Sequence, residues 1–404
     1  MKIAFIHQNM PGQYKHLAAA LAADPANQVV FITRRSDRSI PGVRCLTYGV
    51  RRPPPSQAHA YLRSTESAVL HGQAVARVLL ALKKEGFVPD IIVGHPGWGE
   101  TLFVKDVLPE TPYLNYCEFY YQPQGQDFGF DPLYPTSLDA QLTLRMRRAP
   151  LLLALEACDR GVAPTAWQRD SHPAEFRAKI DAIHDGVDTA ALRPDPAARL
   201  TLPDGRVLAP GDAVVTYAAR NLEPYRGFPS FMRAAPRILE ARPDATILII
   251  GGDEASYGAR PKDGGTWREA MLREVPVDPR RVVFLGHLPY DRFRAAIAVS
   301  RVHVYLTYPF VLSWSMLEVM ALGRVVIGSD TAPVREIIRD GENGLLVDFF
   351  ASEAIADRVI DVLADPAAFA PLGRAARDTV VQRYDLPDCL ARHTRLIVET
   401  AGRG

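Results

Sequence analysis

The stretch YPFVLSWSMLEVMALGRVVIGSD, residues 308–330, runs from a turn through a short helix into a strand. "EVMALG" is a helix end closed by a glycine, the residue that most easily takes the left-handed stop. "RVVIGSD" is β-branched and apolar, as in a strand buried on both faces. Ser313 suits the N-cap, where its hydroxyl meets a free amide. Glu318 is the one glutamate in an otherwise apolar, small-residue run. It lies about a turn beyond that cap, further than the capping-box position three residues on. A carboxylate there can accept hydrogen bonds from two neighbouring hydroxyls, as a ribose diol offers. It can equally be an ordinary acid favoured near a helix amino terminus.

The same alternation continues outward in both directions. "KIAFIH", "QVVFIT", "DIIVGH" and "PYLNYC" read as buried strands in the first half. Helical stretches such as "QYKHLAAALAAD" and "ESAVLHGQAVARVLLALKKEG" separate them. After residue 212 come "AVVTYAA", "ATILIIGG", "RVVFLGH", "VHVYLT" and "RVVIGSD", again with helical stretches between. Strands alternating with helices predict parallel sheets covered on both faces. The proline-, glycine- and charge-rich residues 193–212 read as a linker. The expectation is two doubly wound domains, 1–195 and 196–385, with a final helix over 386–402 that returns to the first. Leu390, Leu396 and Ile397 would supply its buried face. With two such domains facing each other, the cleft between them is the default site.

The chain has 404 residues, too many for one ordinary core. Its 47 basic and 46 acidic residues nearly cancel, which argues against bulk binding to nucleic acid. Basic clusters stand at "TRRSDR", "GVRRPPP" and "LRMRRAP". They read as solvated faces, with an anionic acceptor or peripheral membrane contact as the alternative. Four scattered cysteines without CxxC spacing argue against a disulfide framework or zinc site. With no signal-peptide pattern and no spanning run, a soluble cytoplasmic protein is expected.

Polar residues gather where strands of the second half end. "VVTYAA" runs into "RNLEPYRG", giving Arg220 and Arg226, whose guanidinium forks suit a diphosphate. The alternative is ion pairing with Glu223 or Asp253. "ILIIGG" ends at Gly252 before Asp253, "VVFLG" leads into His287 and Pro289, and "VHVYLT" leads into the Ser313–Glu318 segment. Ligands of doubly wound sheets bind beyond these carboxyl ends.

Together these residues resemble the retaining glycosyltransferases of family four, which have the GT-B fold of two Rossmann-like domains. "FVLSWSMLEVMALGRVVIGSD" resembles the family's glutamate-pair motif, "VREIIRDGENGLLVD" its continuation, and "IHDGVDT" the end of its first domain. The resemblance runs from Ala163 to about Tyr384, and more loosely through the first domain. It implies that Glu318 holds the donor ribose and that Arg220 and Arg226 bind the donor pyrophosphate. It also implies that Phe310, Ser313, Trp314, Ser315, His287, Pro289, Gly252 and Gly12 surround the donor.

This sequence departs from the pattern at several places. Phe310 replaces the first glutamate of the pair, the usual glycine turn reads "VLSWS", and Arg226 stands where lysine is usual. Asp185 replaces an asparagine in "HDGVDT". Glu118, in "CEFYY", stands where a first-domain histidine is expected. It could orient a sugar hydroxyl or be a structural acid among tyrosines. His95 follows the preceding strand and reads as a core or loop histidine or as a cleft residue.

The resemblance implies transfer of a sugar from a UDP- or GDP-type donor to an unknown acceptor, with retention and no bound metal or cofactor. Rival readings are a sugar-nucleotide 2-epimerase and a catalytically idle sugar-nucleotide scaffold. A nicotinamide oxidoreductase is weaker, since "HQNMPGQY" lacks GxGxxG after the first strand.

Overall fold

The computed structural model describes residues 1–402. It divides into two compact units, Met1–Gly186 with the C-terminal helix, and Val187–Asp385.

The first unit is built on seven strands. They are β1 (Lys2–Ile6), β2 (Gln28–Thr33), β3 (Val43–Thr47), β4 (Ile91–Gly94), β5 (Tyr113–Tyr116), β6 (Arg160–Ala163) and β7 (Ile180–Ala182). Their order is β3-β2-β1-β4-β5-β6-β7, and every pair is parallel. β1 is buried along almost its whole length because helices cover both faces of the sheet. Ile3, Phe5, Val29 and Phe31 pack on one side with Leu17 and Leu21 of the helix Lys15–Ala23. Ala4, Ile6, Val30 and Ile32 pack on the other with Val75, Leu79 and Leu82 of the helix Arg63–Lys84. This alternation follows from the two-residue period of a strand.

The C-terminal helix Leu386–Ala401 lies on the first of these cores. Leu396 and Ile397 are buried in it, and Leu390 packs at its margin. His393 on the same face reaches the His184 carbonyl at 3.2 Å.

In the second unit a short antiparallel hairpin, β8 (Leu200–Thr201) and β9 (Val207–Leu208), precedes the main sheet. The sheet strands are β10 (Val214–Asn221), β11 (Thr246–Gly252), β12 (Val282–Gly286), β13 (Val302–Tyr305), β14 (Val325–Ser329) and β15 (Leu345–Val347). Their order is β12-β11-β10-β13-β14-β15, again all parallel. Both sheets thus have the doubly wound order, in which strands add first to one side and then to the other. Residues 193–212, expected as a linker, fold into the second unit, since Leu200, Leu202 and Leu208 are buried in its core. The boundary lies at 186/187 rather than 195/196, because Val187 and Leu192 also belong to that core.

The helix Phe228–Ala241 follows β10 and shows how sequence pattern becomes packing. Phe228, Phe231, Met232, Ala235, Ile238 and Leu239 are buried, at the three- and four-residue spacing of one helix face. Arg233 and Arg237 on the other face pair with Glu274 and Asp357. Gly227 starts this helix at φ 70°, and a Cβ built there would lie 2.4 Å from Leu306 Cβ. Gly227→Ala therefore combines a left-handed backbone with a steric clash. The expected loss is about 3 kcal/mol or more, read as a lowered urea midpoint at unchanged slope.

Among the described residues no helix is long and apolar enough to cross a membrane.

Candidate functional site

In each sheet the chain reverses its direction of growth between two central strands, and the crevice beyond their carboxyl ends is where ligands sit. In the second unit those strands are β10 and β13. The turn after β10 carries Arg226, and the turn after β13 carries Thr307. Arg226 is buried, and its Nη1 donates to Thr307 Oγ1 at 2.8 Å and to the Val311 carbonyl at 3.0 Å. Nε and Nη2 make no hydrogen bond among the described residues, which leaves one edge of the fork available. Tyr217, on β10, donates its hydroxyl to the Arg226 carbonyl at 2.7 Å, and the Tyr308 amide donates to the Tyr225 carbonyl. The two turns are therefore stitched together before any ligand arrives.

Arg220, the last exposed residue of β10, has no ionic or hydrogen-bonding partner among the described residues. Neither arginine pairs with Glu223 or Asp253. Asp253 pairs instead with Arg268 at 3.2 Å. Glu223 is buried, and its Oε2 accepts from the amides of Ser256, Tyr257 and Gly258. That fixes the segment after β11 beside the turn after β10. Glu223 Oε1 and Asn221 Oδ1 are buried without a partner. Sequence reasoning did not single out either residue as a binder. The signal was present, since both lie between the two arginines in "RNLEPYRG".

Ser313 caps the helix Trp314–Ala321, accepting from the Ser315 amide at 3.3 Å, and the Ser313 and Ser315 hydroxyls share a 2.8 Å bond. Trp314 is 37% exposed. Glu318 accepts from the Tyr290 hydroxyl at 2.9 Å. Burial, then the Glu318 charge, then that bond push the Tyr290 phenol well above its usual range. Tyr290 opens the helix that Pro289 caps, so the turn after β12 and the turn after β13 meet at Glu318. His287 is exposed in the same turn, and a Cβ on Gly252 would lie 2.1 Å from His287 Nε2 and 2.6 Å from Asn221 Oδ1. Only glycine fits at 252 without displacing both side chains. Phe310 is buried in an aromatic group with Tyr225 and Tyr257, 5.7 Å from the Arg226 guanidinium. It serves there as packing for the arginine, a role that apolar character alone explains.

The first unit carries a second cluster, at the ends of β1, β4 and β5. Gln13 donates to Glu118 Oε1 at 2.5 Å, and His95 Nε2 meets Glu118 Oε2 at 3.1 Å. The Gly97 amide donates to His95 Nδ1, so the proton of the neutral ring sits on Nε2 and points at the carboxylate. His7 repeats the arrangement: the Asn9 amide donates to its Nδ1, and its Nε2 donates to Gln13 Oε1 at 2.7 Å. Burial, with the neighbouring His95, lowers His7 to about 3. Burial raises the Glu118 carboxyl, but the His95 hydrogen bond and the adjoining donors outweigh it and hold it below the usual range. Glu118 is thus an ionised acceptor whose side chain is still 28% exposed.

Its cavity is lined also by Tyr116, Phe119, Tyr121, Leu151 and His172. Asp185 accepts the Tyr116 hydroxyl at 2.8 Å. Gly12, at φ 53°, lies against the His7 ring, which a Cβ would meet at 2.6 Å. His7 and Gln13 were missed in the sequence, although His7 is the first polar residue after the buried β1. Among the described residues no group of three His, Cys, Asp or Glu side chains is arranged to hold a metal ion.

Comparison with known proteins adds the following. Residues 25–192 match the family described as "Glycosyl transferase family 4 group", and residues 212–365 match "Glycosyl transferases group 1". A D-inositol 3-phosphate glycosyltransferase of Rhodococcus opacus is 29% identical over 227 residues, covering 54% of this chain and 48% of that protein. A GDP-mannose-dependent alpha-(1-6)-phosphatidylinositol monomannoside mannosyltransferase of Mycolicibacterium smegmatis is 29% identical over 220 residues, covering 51% and 53%. The chain spans about half the length of the curated relatives it matches. Among solved structures, the sucrose-phosphate synthase of Thermosynechococcus elongatus covers 100% of both chains at a TM-score of 0.74 and 19% identity. Anabaena Alr3699/HepE in complex with UDP covers 99% of this chain and 100% of that one at 0.69 and 16%. These likenesses establish the GT-B fold.

Proposed function

Because the chain belongs to the family 4, group 1 glycosyltransferases, we propose that it transfers a sugar from a nucleotide diphosphate sugar to an acceptor, with retention at the anomeric carbon. The observation that carries this reading is the Arg226 fork, pre-set at the β10/β13 switch point with the unpartnered Arg220 near the end of β10. Both charges are permanent, and both suit the leaving diphosphate, whose negative charge grows as the glycosidic bond breaks. Glu318, on the helix that Ser313 caps and bonded to Tyr290, is suited to a ribose diol. In the first unit, Glu118 is suited to accept a hydrogen bond from a sugar hydroxyl, because its two lateral donors keep it ionised. The reaction so drawn needs no metal, since arginines and helix-tip amides carry the phosphate charge. Relatives and neighbours named for GDP-mannose and for UDP support a donor of one of these two types. A cytoplasmic setting fits such donors.

One observation favours nucleotide-sugar binding without transfer. Phe310 packs on Arg226 where the family's sugar-gripping glutamate is expected.

A single experiment separates the two readings. The protein is titrated with UDP, GDP and their glucose and mannose conjugates, followed by thermal unfolding and by release of free nucleotide. A donor at a hundred times its dissociation constant adds about 2.7 kcal/mol to stability. Stabilisation with nucleotide release supports transferase chemistry. Stabilisation without release on any acceptor leaves the binder, and no stabilisation by any nucleotide removes both.

A further inference from the structure

A carboxylate without a counter-ion stands in the first unit. Glu118 Oε1 accepts from Gln13 at 2.5 Å and its Oε2 from His95 at 3.1 Å. Neither donor is charged. The Gly97 amide donates to His95 Nδ1, so that nitrogen carries no proton and the ring is neutral. Gln13 turns its amide nitrogen to Glu118 because its oxygen is held by His7 Nε2 at 2.7 Å. No lysine or arginine pairs with Glu118 among the described residues, and none lines its cavity. Arg147 is engaged with the Tyr121 hydroxyl at 2.6 Å and lies over the same ring. The Glu118 side chain is 28% exposed. Its charge therefore meets what enters from solvent, and is screened less than in bulk water.

An aromatic face adjoins this carboxylate. Trp98 stacks on the His95 ring with centroids 5.0 Å apart and planes at 29°, and Tyr116 stacks on that ring at 5.6 Å. The indole also meets His7 edge-on at 5.4 Å and is still 37% exposed. His95 thus touches both the indole, through its face, and Glu118, through Nε2. Apolar ring surface next to a hydrogen-bond acceptor matches a pyranose, whose C–H face packs on the ring while its hydroxyls donate.

Resting on the transferase reading above, we propose that Glu118 is a charge filter, with Trp98 as its platform: the site takes an uncharged sugar and turns away one bearing a carboxylate or phosphate. A hydroxyl donates to the Glu118 carboxylate, whereas an anionic group brings like charge against it. The uncharged sugar can belong to the donor or to the acceptor.

The test is equilibrium titration of the intact protein at neutral pH with two matched pairs, UDP-glucose against UDP-glucuronate and methyl glucoside against methyl glucuronide. If GDP binds and UDP does not, GDP-mannose and GDP-mannuronate form the first pair. Preference within the first pair assigns the filtered sugar to the donor, and within the second to the acceptor. The uncharged member is expected to bind at least about 10-fold tighter in one pair, by a ratio that shrinks as salt rises. Glu118→Gln keeps an acceptor oxygen and removes the charge, so it should bring the ratio close to one. Trp98→Ala should weaken both members of that pair alike, about 2- to 10-fold. Equal binding within both pairs, tighter binding of an anionic member or no sugar binding at all overturns the filter. A ratio that salt leaves unchanged overturns it as well, and the parent protein alone decides that point even if Glu118→Gln lowers the urea midpoint. Unaltered affinity in Trp98→Ala overturns the platform. UDP or GDP binding without discrimination sinks the filter and leaves the transferase reading standing. No nucleotide binding sinks that reading, while the glycoside pair still decides the filter.

Discussion

Lowering the pH from 7.5 to 5 is expected to remove most of the stability of the first unit. Six of its histidines are buried, among them His7, His172, His184 and His393. Burial lowers these four to about 3, about 4, about 3 and about 4 respectively. Above pH 6.5 both native and unfolded chains hold these rings neutral, so the full stability is present. As the pH falls below 6.5 the unfolded chain takes up protons that the native state refuses until pH 3 to 4. Stability is therefore lost across that window, at about 1.4 kcal/mol per pH unit for each ring. At pH 5 each ring costs about 2 kcal/mol, and four such losses rival the 5–15 kcal/mol that holds a typical domain together. Burial also raises the carboxyl of Glu100, which opposes the trend, but by a single group. The second unit has one comparable ring, His303, lowered to about 3. Hydrogen exchange at pH 5 should accordingly show first-unit amides losing protection before those of β10, β11 and β13. The urea midpoint of the intact protein should fall from pH 7.5 to 5. An unchanged midpoint, or second-unit amides opening first, contradicts this account.

Those histidines also show what could be read from sequence and what could not. β1, β2, β4, β5, β10, β11, β13 and β14 were legible because a strand buried on both faces is nearly all apolar, as in "ILIIGG", and the edge strand β12 because "VVFLG" is apolar although only partly buried. β3 escaped, since "VRCLT" lies at the sheet edge and is only partly buried. β7 and β15 are three residues long, too short to carry a period. The turn chemistry of residues 193–212 resembled a linker because prolines and glycines mark a hairpin and a tether alike. Arg220, Arg226 and Glu318 could be singled out as candidates because charges stand out against apolar runs. The partners that orient them could not. Thr307, Tyr290 and Gln13 acquire their roles from partners 28 to 105 residues away, and no local pattern encodes that pairing. The tautomers of His7 and His95 depend on backbone amides two residues on, which only the folded turn brings into line.

Replacing Arg226 with alanine is expected to have two separable effects. The first is on binding. Loss of a charged hydrogen-bonding partner costs about 1.5–3 kcal/mol, which is about 10- to 150-fold in affinity for a nucleoside diphosphate. The bare nucleoside, with no phosphate to lose, should bind almost as before. The second effect is structural, because Nη1 holds Thr307 Oγ1 and the Val311 carbonyl. Leaving the buried Thr307 hydroxyl and the part-buried Val311 carbonyl without this donor lowers stability by about 1–3 kcal/mol in addition. Arg226→Lys separates the two contributions, since lysine keeps the charge but cannot reproduce the planar fork. It should recover part of the diphosphate affinity and less of the stability. Arg220→Ala provides the opposite control. That side chain is exposed and has no partner, so its loss should weaken diphosphate binding and leave the urea midpoint in place. If the diphosphate accumulates charge during transfer, both alanine variants should lower turnover beyond their effect on donor binding. Isothermal titration with diphosphate and nucleoside, beside urea unfolding of each variant, reads every term. Equal losses for diphosphate and nucleoside would assign Arg226 to the fold alone, and an unaltered Arg220→Ala would remove the phosphate from this turn.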